Sequence, residues 1–229
     1  MEKKELYEIY SEIKSWEKPE LDKNRIREFE INYLPFIKNY LDARILDIGC
    51  GSGNFLDFLN KYKYKNYEGI DINEKLVALC KLKGHRVIQA EANDFLKSTK
   101  EAYDIIVLND ILEHLKKEDA MNLIENAKRK LNNNGIVIAR VPNANYPFSN
   151  TIRYRDFTHE LIYEIESLRY ILKLYNLKIV YVGAFHTVSK NILRRFFRKI
   201  ILKFHGLLML ILDGEIRPND LNIFIIAKI

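Results

Sequence analysis

A buried strand that runs directly into a glycine-rich turn and a helix is the feature that most constrains how this chain folds. Residues 44–56 read Arg-Ile-Leu-Asp-Ile-Gly-Cys-Gly-Ser-Gly-Asn-Phe-Leu. Ile45, Leu46 and Ile48 suit a strand, and three glycines at alternate positions let the backbone pass close to a ligand. Apolar residues then recur at helical spacing over residues 54–62. The pattern predicts a strand–turn–helix unit that holds a cofactor.

The spacing of the glycines separates this turn from the dinucleotide-binding fingerprint. That fingerprint, Gly-x-Gly-x-x-Gly, needs a glycine where the chain has Asn54. The chain instead reads Asp-x-Gly-x-Gly-x-Gly, which resembles the class I methyltransferases that use S-adenosylmethionine. The resemblance implies that the turn follows an adenosine and an amino-acid-like tail. The residues that it assigns to cofactor binding here are Asp47, Gly49, Cys50, Gly51 and Gly53.

A carboxylate ends the next predicted strand at a spacing typical of a strand–helix–strand crossover. Asp71 lies 20 residues beyond Gly51. Such a crossover brings a carboxylate beside a ribose, where its two oxygens can accept from both hydroxyls. The alternative is that Asp71 caps the following helix, a role for which Asn73 competes.

The resemblance assigns further cofactor contacts to the ends of the third and fourth strands. It implies that an acidic residue after the third strand accepts from the adenine amino group, and that the next backbone N–H reaches a ring nitrogen. Family members more often carry Asp than Glu at the first position, and Asn93 and Asp94 are alternative helix caps. The residues added to the cofactor site are Ile72, Glu91, Ala92, Asn109 and Asp110, with the last two near the methionine part.

The order of the elements, together with the resemblance, predicts an α/β fold of the Rossmann-like type. We expect a seven-stranded, mostly parallel sheet with helices on both faces and an antiparallel final strand. Residues 1–42 are predicted to form an N-terminal helical cap, and 43–229 the methyltransferase domain. A basic and apolar helical insertion at 186–220 is predicted between the last two strands.

Two histidines are the candidate catalytic residues. His159 lies in the phrase Arg-Tyr-Arg-Asp-Phe-Thr-His-Glu, which carries more chemical groups than a connection requires. A sugar hydroxyl is a poor nucleophile, so a base within hydrogen-bond reach helps to methylate it, and His159 is the first choice. Asp156 is predicted to orient His159 or to bind the acceptor. The alternative is that His159 and Glu160 cap the next helix.

His114 belongs to a Leu-Glu-His-Leu sequence that resembles a motif of many small-molecule methyltransferases. It is predicted to lie about one turn into a helix. It is a candidate catalytic residue or, alternatively, a residue that orders the loop. Arg153 and Arg155 are predicted to hold a phosphate or carboxylate of the acceptor. The five histidines are dispersed along the sequence, so a metal-independent site is predicted.

The phrase around His159 resembles a methyltransferase branch associated with surface polysaccharide and lipopolysaccharide biosynthesis. The implied function is O-methylation of a sugar or glycan precursor, so the partner is a small-molecule or glycan acceptor. One alternative is methylation of a lipid or quinone-like phenol at a membrane surface. The other is a regulator that binds S-adenosylmethionine without turnover.

Composition describes an ordinary globular chain of 229 residues with a net charge of +6. The charge suggests nucleic acid, a phosphate-bearing substrate or a lipid surface as partner, with nucleic acid the least favoured, or simply a solvated lysine-rich surface. Cys50 and Cys80 are the two cysteines, so no disulfide framework is expected. The predicted location is the cytoplasm.

The insertion contains a helical stretch, 188–212, that combines basic and apolar residues. Its composition suits the interfacial zone of an anionic membrane, and it is too short to span one. A homodimer interface and packing on its own domain are the alternatives.

Overall fold

Seven strands pair into one sheet in the computed structural model, which describes Ile9 and residues 22–189, 191–215 and 217–229. In chain order the strands are β1 (Arg44–Ile48), β2 (Asn66–Asp71), β3 (Val87–Gln89), β4 (Tyr103–Asn109), β5 (Leu131–Pro142), β6 (Lys178–Ala184) and β7 (Asn222–Lys228). Their spatial order is β3-β2-β1-β4-β5-β7-β6. β7 runs in the direction opposite to the other six strands of this sheet. The predicted fold class is therefore confirmed.

Helices connect the strands in the described part of the chain. In order they are α1 (Lys23–Asn32), α2 (Leu34–Ile37), α3 (Asn54–Lys61), α4 (Glu74–Leu82), α5 (Ala92–Ser98), α6 (Lys117–Arg129), α7 (Ser149–Arg155), α8 (Ile165–Leu174) and α9 (Ile192–Asp213). A short 3-10 turn, Leu112–His114, follows β4. Of the predicted N-terminal cap, residues 22–42 contain α1 and α2. The rest, apart from Ile9, lies outside the described residues.

The two faces of the sheet are buried in separate apolar clusters because successive strand residues point to opposite sides. On β4, Ile106 and Leu108 belong to one cluster, while Ile105 and Val107 belong to the other. The adjacent strands β1 and β4 are consequently apolar almost throughout. This is expected for a parallel sheet that is covered by helices on both faces. α1 adds Phe29 to the second cluster, where it meets aromatic rings from α3.

The sheet order places a crevice beside β1. The chain moves outward from β1 through β2 to β3, then returns to form β4 on the other side of β1. The connections that leave β1 and β4 therefore diverge at the carboxyl ends of these strands. Ligands of open α/β sheets bind at such a switch point.

A pair of glycine substitutions tests the packing beneath this crevice. In Gly69→Ala, the new Cβ would lie 2.8 Å from the Cys50 Sγ and 3.0 Å from the Leu56 Cδ1. We expect overpacking to cost about 1–3 kcal/mol of unfolding free energy.

Gly206→Ala is the matched control, since its Cβ meets only the Asn219 Nδ2, at an ordinary 3.6 Å. Replacing glycine inside α9 should stabilise the fold by roughly 0.5–1 kcal/mol. Urea unfolding of both variants measures the two shifts. Equal shifts would contradict the packing described here.

Candidate active site

Two adjoining cavities lie at the carboxyl edge of the sheet. The larger has a volume of about 340 Å³ and the smaller about 100 Å³. Gly49, Asp110 and His114 line both cavities. The site is therefore bipartite, and these three residues mark the junction between its halves.

The smaller cavity is lined by apolar and acidic residues. Ile72, Leu76 and Ile111 contribute apolar surface, while Asp71 and Glu91 contribute carboxylates. A flat base fits between apolar walls, and carboxylates are acceptors for hydroxyl and amino groups. The residues present in this half fit an adenosine moiety.

Asp71 ties the end of β2 to the glycine-rich turn. Its Oδ2 accepts from the Gly51 N–H at 2.8 Å, and its Oδ1 accepts from the Asn73 N–H at 2.9 Å. Asn73 itself caps α4 by accepting from the Leu76 N–H. The capping role that competed for Asp71 in the sequence therefore belongs to Asn73. Burial raises the Asp71 pKa, against the lowering effect of these backbone hydrogen bonds.

Glu91 caps a helix in addition to lining the smaller cavity. Its side chain accepts from the Asp94 N–H at 3.0 Å and caps α5. The sequence offered Asn93 and Asp94 as caps, and the structure instead has Glu91 in that position, while the Asn93 amide donates to the Asp119 carbonyl. Ala92 lines the cavity beside Glu91.

The larger cavity contains two buried ionisable groups with unused hydrogen-bonding capacity. Within the described residues, the Asp47 Oδ1 and the Arg140 Nη1 have no hydrogen-bond partner. Burial raises the pKa of Asp47 to about 8, although Arg140 lowers it. A buried acceptor and a buried donor of this kind are complementary to the ammonium and carboxylate of an amino-acid tail. The larger half therefore fits the methionine part of the cofactor.

Arg140 is held in place by two neighbours, Asp110 just after β4 and Phe185 just after β6. Its Nε donates to the Asp110 Oδ1 at 2.8 Å, its Nη2 pairs with the Asp110 Oδ2, and its guanidinium lies over the Phe185 ring. Asp110 adopts a left-handed backbone conformation with φ of 52°. Non-glycine residues held in this conformation cluster at functional sites.

One wall of the larger cavity, which includes His114 at the junction, brings the predicted catalytic residues together. The rings of His114 and His159 have centroids 4.8 Å apart, and the His159 Nε2 lies 3.8 Å from the Asp156 Oδ2. Burial, followed by the nearby His159, lowers the pKa of His114 to about 4. His114 is therefore neutral near pH 7.

Thr158 determines which nitrogen of His114 carries the hydrogen. The Thr158 carbonyl lies 3.3 Å from the His114 Nδ1 and can only accept, so Nδ1 must be the donor. The Thr158 hydroxyl, 2.8 Å from the same nitrogen, donates in turn to the Asp156 carboxylate at 2.6 Å. The Nε2 of neutral His114 consequently has the lone pair.

Several predicted residues lie elsewhere or act differently. Gly53 lines neither cavity and begins α3 with φ of 80°. Asn109 lines the larger cavity, where its side chain accepts from the Tyr33 hydroxyl. Arg155 lines that cavity, whereas Arg153 lies over the Tyr154 ring.

One further prediction needs correction. His114 lies on a 3-10 turn rather than in a helix. His114 and His159, which are far apart in sequence, are neighbours in space, so the dispersion of the histidines along the sequence does not argue against a metal site. Arg140 and Thr158 were missed. Arg140 sits inside an ordinary strand, and Thr158 acts on a residue 44 positions away.

Comparison with known proteins agrees with the class that the fold and site define. The family model described as a methyltransferase domain matches residues 21–182. A ribosomal protein L11 methyltransferase from Dictyoglomus turgidum is 33% identical over 106 residues, covering 45% of this chain and 33% of that protein. A ubiquinone biosynthesis O-methyltransferase from Hydrogenovibrio crunogenus is 28% identical over 131 residues, covering 54% and 52%. The chain thus spans about one third and one half of these curated relatives.

Solved structures extend the similarity over the whole fold. A SAM-dependent methyltransferase from Archaeoglobus fulgidus superposes with a TM-score of 0.71 and 25% identity, covering 97% of this chain and 99% of that one. Magnesium protoporphyrin IX methyltransferase from Synechocystis PCC 6803 with bound SAM has a TM-score of 0.60 at 15% identity, covering 100% and 97%, which shows the fold alone. The chain belongs to the methyltransferase domain family, and S-adenosylmethionine is its cofactor, which supplies the methyl group. The predicted class is confirmed.

The raised pKa of Asp47 gives a testable pH dependence of stability. Between about pH 4 and 8, the carboxyl is ionised in the unfolded chain and protonated in the ligand-free fold, so the fold binds more protons. Its unfolding free energy should therefore fall with rising pH, relative to Asp47→Asn, by at most ~1.4 kcal/mol per pH unit. The difference should level off above pH 8. Denaturant unfolding of both proteins across this range measures it, and a constant difference would contradict the assignment.

Proposed function

We propose that the chain methylates a hydroxyl oxygen of a sugar or glycan precursor. The observation that carries this proposal is the cluster of His114, His159 and Asp156 in the larger cavity, with His114 at the junction with the adenosine half. Groups that accept or bind a proton are useful for a hydroxyl, which must lose its proton as it is methylated. Arg25 and Arg155 also line this cavity and suit an acceptor that carries phosphate or carboxylate.

The anchoring of the loop supports acceptor binding at this wall. The Glu113 carbonyl accepts from the Glu160 N–H at 2.8 Å and from the Leu161 N–H at 3.0 Å. The Asp156 Oδ1 also accepts from the Thr158 N–H, which stabilises the turn that precedes His159. A loop fixed at both points holds its side chains in one arrangement, as positioning for transfer requires.

Turnover of the cofactor with a panel of nucleotide sugars, glycans and phenols tests the acceptor class. We expect turnover with the sugar-containing compounds and a loss of about 10²–10⁴-fold in kcat for His159→Ala, the typical contribution of a group that assists the loss of the hydroxyl proton. Calorimetry should show unchanged S-adenosylmethionine binding in that variant.

His186→Ala is the matched control, because His186 is exposed and lies outside both cavities. Equal turnover by the wild type and His159→Ala would remove His159 from the reaction. Turnover with phenols alone would favour the second candidate function, and cofactor binding without any turnover would favour the regulator.

The second candidate function, methylation of a lipid or quinone-like phenol at a membrane surface, is favoured by the orientation of α9. The helix faces its own domain with Arg198, which pairs with Asp220, and with Gly206 and the Leu202 carbonyl beside Asn219. The opposite side presents apolar residues at spacings of three and four. They are 47–69% exposed and comprise Phe196, Ile200, Phe204, Leu207 and Ile211.

Charge complementarity makes an anionic lipid surface the proposed partner of this outward apolar stripe. The segment 192–212 contains five arginines and lysines and no acidic residue. Apolar burial and attraction of cations to anionic lipids add for such a helix. Among the described helices, none has the length and hydrophobicity needed to cross a bilayer. The proposal is therefore contact with one leaflet.

Sedimentation with vesicles tests the surface contact. We expect the wild type to co-sediment with phosphatidylglycerol vesicles at low salt and to remain free with phosphatidylcholine alone. Phe196→Glu with Phe204→Glu should abolish co-sedimentation. Tyr170→Glu is the matched control, since Tyr170 is an exposed aromatic residue on α8 and should leave binding intact. Absence of co-sedimentation, or formation of a dimer that the double variant disrupts, would contradict lipid binding.

A further inference from the structure

The wall that carries the two histidines also contains a buried carboxylate that lacks a counterpart. Glu113 is 1% exposed, and within the described residues its Oε2 has no hydrogen-bond partner. Glu113 lines the larger cavity. A buried carboxylate without compensation is costly, so such a group normally meets a proton or a cation.

Two histidine nitrogens lie around the same point. One side-chain ligand atom from each of Glu113, His114 and His159 lies within 4.8 Å of the others. Zinc-type ions bind carboxylate oxygen and imidazole nitrogen at about 2.0–2.2 Å, so a small inward movement of these side chains would bring all three into contact with one ion.

The hydrogen bonds of His114 resemble those of histidines that bind a metal ion. A metal-binding histidine usually donates its second ring N–H to a carbonyl, carboxylate or similar acceptor, which fixes the ring. The His114 Nδ1 donates to Thr158, and the Thr158 hydroxyl donates to Asp156. Because these hydrogen bonds keep the hydrogen on Nδ1, the lone pair of Nε2 is the one that can bind a metal ion.

The backbone holds the three groups in register. Glu113 and His114 are adjacent on the 3-10 turn, and the Glu113 carbonyl accepts from the two residues that follow His159. The turn and the His159 loop are therefore joined next to the proposed ligands. Ligands on two segments that are hydrogen-bonded to each other have a fixed separation, which a metal site requires.

We propose that Glu113, His114 and His159 bind one divalent transition-metal ion and that this ion binds the acceptor hydroxyl. Two imidazoles and one carboxylate suit Zn²⁺, Mn²⁺, Fe²⁺ or Co²⁺ better than Ca²⁺. The inference rests on the proposed function. It deepens that function by specifying that the acceptor atom is an oxygen able to bind a metal ion.

The role of the ion is that of a Lewis acid, which lowers the pKa of a bound hydroxyl. The hydroxyl loses its proton to solvent, its oxygen forms a bond to the methyl carbon, and the bond between that carbon and the sulfur of the donor breaks. His159 then acts as a metal ligand, so it does not take the hydroxyl proton itself.

Titration of chelator-treated protein with Co²⁺ tests the site without relying on activity. We expect a visible absorption band that saturates at one Co²⁺ per chain. Affinity should fall by at least about 100-fold in Glu113→Gln and in His159→Ala, since loss of a ligand costs at least as much as loss of its supporting partner. His186→Ala is the control and should bind as the wild type does. Calorimetry with S-adenosylmethionine verifies that each variant is folded.

The outcomes separate this proposal from the proposed function. No saturable band, or equal affinity in all four proteins, overturns the metal site. Full turnover by metal-free protein, with no increase on adding Co²⁺, Mn²⁺ or Zn²⁺, overturns the Lewis-acid role and leaves the methyltransferase proposal standing. Saturable Co²⁺ binding without turnover of any acceptor supports the metal site and contradicts the proposed function.

Discussion

The position of β1 between β2 and β4 is the constraint on which the site depends. Because these strands are parallel and in register, their carboxyl ends reach the same edge of the sheet. The chain leaves this edge in opposite directions from β1 and β4, which keeps the crevice open. Backbone pairing thus holds Asp47, Asp71 and Asp110 around one space, although they come from three separate segments. The loops add functional side chains to a site whose position the sheet determines.

The excess of carboxyl groups in the crevice follows from the meeting of these strand ends at one edge of the sheet. Among the described residues that line the larger cavity, Asp47, Glu113 and Asp156 are buried carboxyl groups, while Arg140 is the buried cation. In the low dielectric of a protein interior, this imbalance favours protonation or the binding of positive charge. S-adenosylmethionine carries a sulfonium and an ammonium against one carboxylate, so its net charge opposes that of the pocket. Burial is the main cause of the raised pKa of Asp47, and the nearby Asp71 carboxylate adds to it.

The cofactor contacts could be predicted from sequence because their signals are local. The glycine-rich turn, and Asp71 at crossover distance, each depend on spacing within one strand–helix unit. Arg140 gave no such signal, since a single arginine within an apolar strand has no spacing that indicates its partner. The pairing of His114 with Thr158, and the meeting of His114 with His159, depend on contact between segments more than 40 positions apart. Dispersion in sequence was therefore a poor guide to which histidines lie together in space.

The proposed acceptor wall, formed by the His159 loop, is built on a different principle from the cofactor contacts. Donor contacts come from strand ends whose positions the sheet dictates, whereas the acceptor wall is a loop attached to the 3-10 turn through the Glu113 carbonyl. Residues of this loop can change while that backbone attachment persists, so acceptor specificity can vary without disturbing cofactor binding. The fold and cofactor are accordingly shared with relatives that act on different acceptors. The identity of the acceptor must be sought in the side chains between α7 and α8.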